Sequence, residues 1–587
     1  PPRDLNDLAR RFKPGPAHLP TGEPPPAAGF TPGDTDTFWV VDNSTDTPSK
    51  FQVTARLVHR AAHSYWWVQQ GYTVSEADIA ASARQFEDQT YPTNRRLFGS
   101  EWSPGIDGDV RVHILMGNIP GVSGYFSASN EYLRQAVSHS NQREMFLINL
   151  AALQPGSRGF DGVLAHEFQH MIHWRQDPNE DSWVNEGLSE LAEFVNGFGL
   201  SEYTRLYLQN PNLQLTSWGR EAQTRRANYG ASFLFALYLY DKFGPEVIQQ
   251  LVRQPQNGAA GVEATLRRAG LTTPFDALFA DFVVANYLND PALAQGQWGY
   301  SLSDVQLPAV QFAASRAEFP VEAAESGQQY GAKYIQLAAA APVTVTFTGA
   351  ATVTLLPNRA HSGRYQWYGN RADNSDTTLT RPFDLTGLSE ATLEFWAWYD
   401  IEVGWDYAYV AVSTDGGSVW KTLPASSTVA TNPVGNAYGP GFTGASGPEP
   451  GWLKQVVDLS PFAGQEILLR FEYITDDAVN LPGFAVDDIA IPQLGYSHTA
   501  EQGDGGWEAR GFIRTDNVLP QRFTVWAIEM PSAGPPVVAQ IPLNRSNAGQ
   551  FTFGGLGTTV ERAVLIISPQ APVTTIPARY TYTLRQP

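Results

Sequence analysis

The stretch HEFQHMIHWRQDPNEDSWVNEGLSE, residues 166–190, decides how the chain reads. It carries two histidines four apart, a glutamate directly after the first, a turn-rich run, and then a second group of glutamates. Asp161 is the expected N-cap of a helix through GVLAHEFQHMIHW that stops before Asp177-Pro178. On that helix His166 and His170 project from one face toward one point. Glu167 lies about 100° round the axis from His166, near that point but off the ligand line. This is the H-E-x-x-H arrangement, in which two histidines bind zinc and the glutamate is general base to a zinc-activated water.

A catalytic zinc needs a third protein ligand and an open position. Glu186 comes sixteen residues after His170, on what reads as the next helix. The intervening RQDPNED is turn-rich and lets that helix fold back on the first. Glu186, Glu190 and Glu193 then share a face. Glu186 is the expected ligand and Glu190 the acceptor of a ligating histidine's other N–H. Glu193 is expected to be a solvated or supporting carboxylate. His173 lies on the same face at i+7, but one helix does not easily aim three rings at one metal, so it reads as a packing histidine. His113 and His139 read as ordinary surface or packing residues. The bland alternative is a structural or vestigial metal site.

The bulk composition narrows the classes. At 587 residues the chain is too long for one core, and three domains or so are expected. The 39 basic against 59 acidic residues leave a net charge of −20, which argues against nucleic-acid or anionic-membrane partners. There is no cysteine, so a zinc site must use His and carboxylates. The opening PPRDLNDLARRFKPGP has no initiator Met and no apolar h-region, and reads as processed. No window has the length and apolarity of a membrane span.

Along the chain, KPGPAHLPTGEPPPAAGFTPGD (13–34) reads as an extended Pro/Gly-rich lead-in, a linker or a leftover pro-segment. From about 37 to 300 strands and helices mix. FWVVDN, VRVHILMGN and REMFLINL have strand patterns, while EADIAASARQFEDQTY, ASFLFALYLYDKFG and TPFDALFADFVVANYL have helical ones. After about 325, short β-rich runs separated by Gly, Asn and Asp take over, as in β-sandwiches.

Two resemblances rest on these motifs. HEFQHMIHW with WVNEGLSELAE resembles the hyicolysin-type zinc metallopeptidases, a gluzincin group of secreted bacterial endopeptidases, and ANYGASFLFALYLYDKFG (227–244) is similar to a segment of that group. The likeness implies a zincin-like α+β catalytic domain over 37–300, with His166, His170 and Glu186 as ligands and Glu167 as base. By the same analogy Tyr229 is a candidate to stabilise the oxyanion, a buried structural role being the alternative. The stretch from ATLEFWAWYDIEVGWDYAYVAVSTDGGSVW to GFAVDDIAI resembles the jelly-roll module of the immune inhibitor A metallopeptidases. That family's helix continues with Gly after the second His, where this chain has HMIHWRQ, so only the accessory module carries over.

The expectation is therefore multidomain: a lead-in at 1–36, the α+β domain at 37–300, and all-β sandwich and jelly-roll modules. The jelly roll spans 358–495, inserted in a discontinuous β-sandwich of 301–357 and 496–587. Jelly rolls commonly hold a structural Ca²⁺, for which Asp400, Glu402, Asp406, Asp487 and Asp488 are candidates, with solvated loop acids the alternative. The implied function is a secreted, monomeric zinc endopeptidase, with peptide substrates pairing along an edge strand, DVRVHILMGN. The competing readings are a binding protein whose jelly roll engages glycans or cell-surface proteins, and a zinc hydrolase of non-protein amides.

Overall fold

The computed structural model describes residues 1–13, 28–45, 49–219, 221–303, 305–479 and 481–586. The centre of the lead-in, residues 14–27, lies outside the described residues. The chain divides into two compact units. One comprises Pro1–Asn185, Ser189–Gly199 and Arg359–Asp516; the other comprises Glu186–Leu188, Leu200–Asn358 and Asn517–Pro587.

The first unit opens with helix α1 (Leu5–Phe12), capped by Asp4, whose carboxylate accepts from the backbone N–H groups of Asn6 and Asp7. Leu8 buries against Tyr407, Tyr409 and Ile474. A six-stranded sheet follows, of β1 (Thr35–Asp42), β2 (Ser49–Arg60), β3 (Ser64–Gln69), β4 (Val112–Gly117), β5 (Gly124–Phe126) and β6 (Met145–Asn149). Its order is β1-β2-β3-β4-β6-β5. β4 runs parallel to both β3 and β6, while β5 returns antiparallel to β6.

Every residue of β4 is buried, as expected of a strand with parallel neighbours and both faces covered. DVRVHILMGN is therefore central, and the expectation that it forms the edge is corrected: β5 takes that place. A buried parallel strand and an edge strand differ in neighbours, which a single chain's pattern does not show.

Helices α2 (Glu76–Gln85), α3 (Tyr91–Phe98), α4 (Arg158–Gln176) and α5 (Ser182–Glu193) complete this part of the unit. Phe168 of α4 stacks on Tyr91 of α3 with ring centroids 5.3 Å apart. The cap of α4 is Ser157, whose hydroxyl accepts from Phe160 N–H. Asp161, expected there, sits inside the first turn instead. Its charge still suits the N-terminal end of the helix dipole.

Residues 359–516 of the same unit form two antiparallel sheets. In one, Thr392–Asp400 and Gly483–Ile491 are central; in the other, Tyr407–Ser413 and Glu466–Ile474 are. Phe395, Val410, Leu469, Phe471 and Val486 fill the core between them. Buried and more exposed residues alternate along the first halves of Thr392–Asp400 and Glu466–Ile474, the period-2 signal read in the sequence, whereas Tyr407–Ser413 is buried throughout.

The second unit contains α6 (Thr204–Gln209), α7 (Ala222–Phe243), α8 (Pro245–Leu251), α9 (Gly258–Arg268) and α10 (Phe275–Leu288). α6 and α7 approach closely at Gly230, where a Cβ would come within 2.2 Å of the Tyr203 carbonyl oxygen. Beyond the helices, Val343–Gly349 pairs with Ala548–Phe553 and Ala578–Arg585, and Lys333–Leu337 pairs with Val560–Gln570. Strands from before residue 358 and after residue 517 thus share these sheets. Among the described residues no helix is long and apolar enough to cross a membrane.

Candidate metal centre

α4 and α5 hold the residues singled out in the sequence. His166 and Glu167 are buried, and His170 is partly so. The Nε2 atoms of His166 and His170 face each other at 3.0 Å, with the rings at 72°. Two nitrogens bound to one tetrahedral zinc at 2.0–2.1 Å would lie about 3.3 Å apart, so this spacing fits. A carboxylate oxygen of Glu186 completes a group whose ligand atoms all lie within 4.8 Å of one another.

The other nitrogen of each ring is held in turn. Asn185 Oδ1 lies 2.9 Å from His170 Nδ1, and Ser189 Oγ lies 3.1 Å from it. An Nδ1–H donated to Asn185 leaves Nε2 as the lone-pair nitrogen. His166 Nδ1 lies 3.2 Å from Glu193 Oε1 and 3.8 Å from Glu190 Oε1. Glu193, expected as a solvated or supporting acid, is thus the nearer partner, and Glu190, expected to take that N–H, stands behind it. Asn185 was missed altogether; it directly precedes the candidate ligand Glu186 on α5, and only the crossing of two helices brings it to His170.

Glu167 Oε2 accepts from the backbone N–H of Phe126 at 2.8 Å. Phe126 ends β5, so the candidate base is tied to the edge strand of the sheet. Tyr229 on α7 donates its hydroxyl to Glu186 Oε1 at 3.4 Å. His173 is fully buried with no partner at Nε2 among the described residues, and burial holds its pKa down at about 3, so it stays neutral. His113 is also fully buried, accepting at Nδ1 from Trp67 Nε1–H. His139 packs edge-on against Trp39.

The five acids proposed for calcium separate. Glu402 and Asp406 group with Asp476, their oxygens within 4.8 Å of one another. Asp406 Oδ1 accepts from Asp476 N–H at 2.8 Å, while its Oδ2 is buried with no partner among the described residues. Burial, joined by repulsion from neighbouring carboxylates, pushes Glu402 up to about 11 and Asp406 up to about 8. Asp487 and Asp488 instead bind the His361–Ser362 turn: Asp487 Oδ2 accepts from His361 N–H and Asp488 Oδ1 from Ser362 Oγ–H. Neither they nor Asp400 belong to the group. Asp476 was legible only as part of the acid-rich ITDD; pairing of distant strands brings it to Asp406.

Comparison with known proteins bears on the β-rich half. Residues 337–517 match the immune inhibitor A-like MAM domain. The match begins earlier and ends later than the jelly roll expected at 358–495. Pre-pro-metalloprotease PrtV of Vibrio cholerae serotype O1 is 32% identical over 143 residues, 24% of this chain and 15% of that protein. Immune inhibitor A of Bacillus thuringiensis subsp. alesti is 31% identical over 144 residues, 24% of this chain and 19% of that protein. Bacillopeptidase F of Bacillus subtilis is 24% identical over 157 residues. The chain thus spans less than a fifth of the length of the curated relatives it matches. PrtV and bacillopeptidase F carry peptidase names, and the likeness to these relatives runs through the accessory domain.

Proposed function

We propose that the chain is a secreted zinc endopeptidase of the gluzincin type, its zincin-like catalytic part built on β1–β6 and α4–α5. The observation that carries this is the pair of facing imidazole nitrogens with Glu186 in reach and Glu167 beside them, bonded to the edge strand. His166 Nε2, His170 Nε2 and Glu186 would hold the zinc. The metal supplies a Lewis acid that acidifies a water and polarises a carbonyl. Glu167 takes the water's proton and returns it to the leaving amine, with Phe126 N–H fixing the carboxylate's orientation. Peptide substrate would run along β5 by strand addition. Tyr229 steadies Glu186 through its hydroxyl and remains the candidate oxyanion donor.

The test is mass spectrometry of peptides released from unfolded casein by the zinc-loaded protein, with and without 1,10-phenanthroline. Defined fragments that vanish with the chelator and return with zinc support the reading. No fragments from fully zinc-loaded protein would sink it. A related expectation concerns Asn185→Ala, which removes the shorter of the two contacts to His170 Nδ1 and leaves only Ser189 Oγ there, and which should weaken zinc binding by about 10–100-fold. Competition titration against a chromophoric chelator measures this, and an unchanged affinity would remove Asn185 from the account.

The Glu402, Asp406 and Asp476 group is the proposed calcium site of the accessory domain. Its acids, crowded and desolvated, need a cation beside them to stay ionised near neutral pH. Asp406→Asn should remove one bound calcium and the thermal stabilisation that calcium gives this domain. A Tm gain from calcium equal to that of the wild type would contradict the assignment.

A further inference from the structure

A second acid pocket lies in the first unit, beside the sheet. Glu131 ends the short turn Ala128–Glu131 that follows β5, and Glu144 immediately precedes β6. Glu131 is 3% exposed and Glu144 is 2% exposed. The segments that carry them are joined next to the two acids, where Arg143 N–H donates to the Asn130 carbonyl oxygen at 2.9 Å, and burial with the charge of Glu144 pushes Glu131 well above the usual carboxylate range. Glu144 Oε1 accepts from Ile106 N–H at 2.6 Å. The turn around Gly105 wraps this carboxyl so tightly that a Cβ there would sit 1.9 Å from Glu144 Cδ. Among the described residues, no donor reaches Glu131 Oε1, Glu131 Oε2 or Glu144 Oε2. Asp107 adds negative charge nearby, and Arg175 acts on Glu131 only at longer range.

Three buried carboxylate oxygens without donors require an explanation. A proton shared between the two acids satisfies two of them and leaves the third bare, at the desolvation cost of an unpaired acceptor. Two ionised carboxylates with nothing between them cost more still. A cation lodged between the acids answers all three oxygens at once. Hard oxygen donors and two formal negative charges suit a divalent ion of the calcium class.

We propose that Glu131 and Glu144, enclosed by the Gly105 turn, form a buried binding site for a calcium-class cation. The site would fasten the segment leading out of β5 to the loop beneath it. Phe126, at the end of β5, is five residues before Glu131 and bonds Glu167. The ion would therefore hold in place the strand that orients the candidate base. Binding of the ion does not depend on peptidase activity, so the two claims fail separately.

The experiment counts calcium per chain by elemental analysis of the full-length protein, kept zinc-loaded and equilibrated with calcium. Asp406→Asn, which removes the other candidate site, should retain one calcium; Asp406→Asn with Glu131→Gln should retain none. No calcium in Asp406→Asn, or the same content in the double variant, overturns the proposal in favour of a shared proton. Should Glu131→Gln fail to fold, wild-type crystals grown in calcium provide the second measurement. An anomalous difference peak between the Glu131 and Glu144 carboxyls is expected, and its absence overturns the site.

Discussion

Glu167→Gln is expected to lower kcat on an unfolded protein substrate by about 10²–10⁴-fold while leaving zinc content at the wild-type level. The amide keeps the size of the side chain but cannot take a proton from water. It does not touch the ligand set, because His166 and His170 approach each other from the neighbouring positions on α4. An effect confined to proton transfer lowers kcat and kcat/KM together and leaves KM nearly unchanged. The backbone N–H of Phe126 can still donate to the amide oxygen, so the variant should keep the geometry of β5. A loss of zinc alongside activity would instead make Glu167 part of the metal's support. Wild-type turnover in the variant would remove it from the chemistry.

Arg11→Ala should destabilise the first unit by about 3–5 kcal/mol, a cost typical of breaking a buried ion pair from one side. The guanidinium reaches Asp376 Oδ2 at 2.7 Å, Glu472 Oε1 at 2.6 Å and Asp7 Oδ2 at 2.6 Å. Its side chain is 12% exposed, and that of Glu472 is fully buried. Without Arg11, two desolvated carboxylates would have, among the described residues, only Arg470, 3.4 Å from Glu472, for compensation. Arg11→Lys should recover only part of the loss, because an ammonium cannot serve three carboxylates in a planar fork. Urea unfolding of the full chain measures the effect. A change below about 1 kcal/mol would reduce the network to an ordinary surface contact.

What the sequence revealed depended on how local each relation is. His166, Glu167 and His170 lie on one helix, so their spacing alone places them. Glu186 needed one further assumption, that the turn-rich RQDPNED folds the next helix back, and the structure puts its carboxylate in reach of both histidines. The partners of the imidazole Nδ1 atoms were not legible, because Asn185 and Glu193 gain meaning only from the angle at which α5 crosses α4. The same limit misplaced β4: that it is a strand was readable, its burial on both faces and the order of its neighbours were not. Helix α1 shows the limit at its strongest. Its Asp4 cap, paired arginines and Asp7 are local signals, but two of the three acids that receive Arg11 stand more than 360 residues away in the chain.

The central claim is a single zinc held by His166, His170 and Glu186, and a crystal of the zinc-loaded protein measured at the zinc absorption edge tests it most directly. The account predicts one anomalous peak, about 2.0–2.2 Å from His166 Nε2, His170 Nε2 and a Glu186 oxygen. A peak among His166, Glu190 and Glu193, the other group within ligand range on these helices, would contradict it, as would no peak at all.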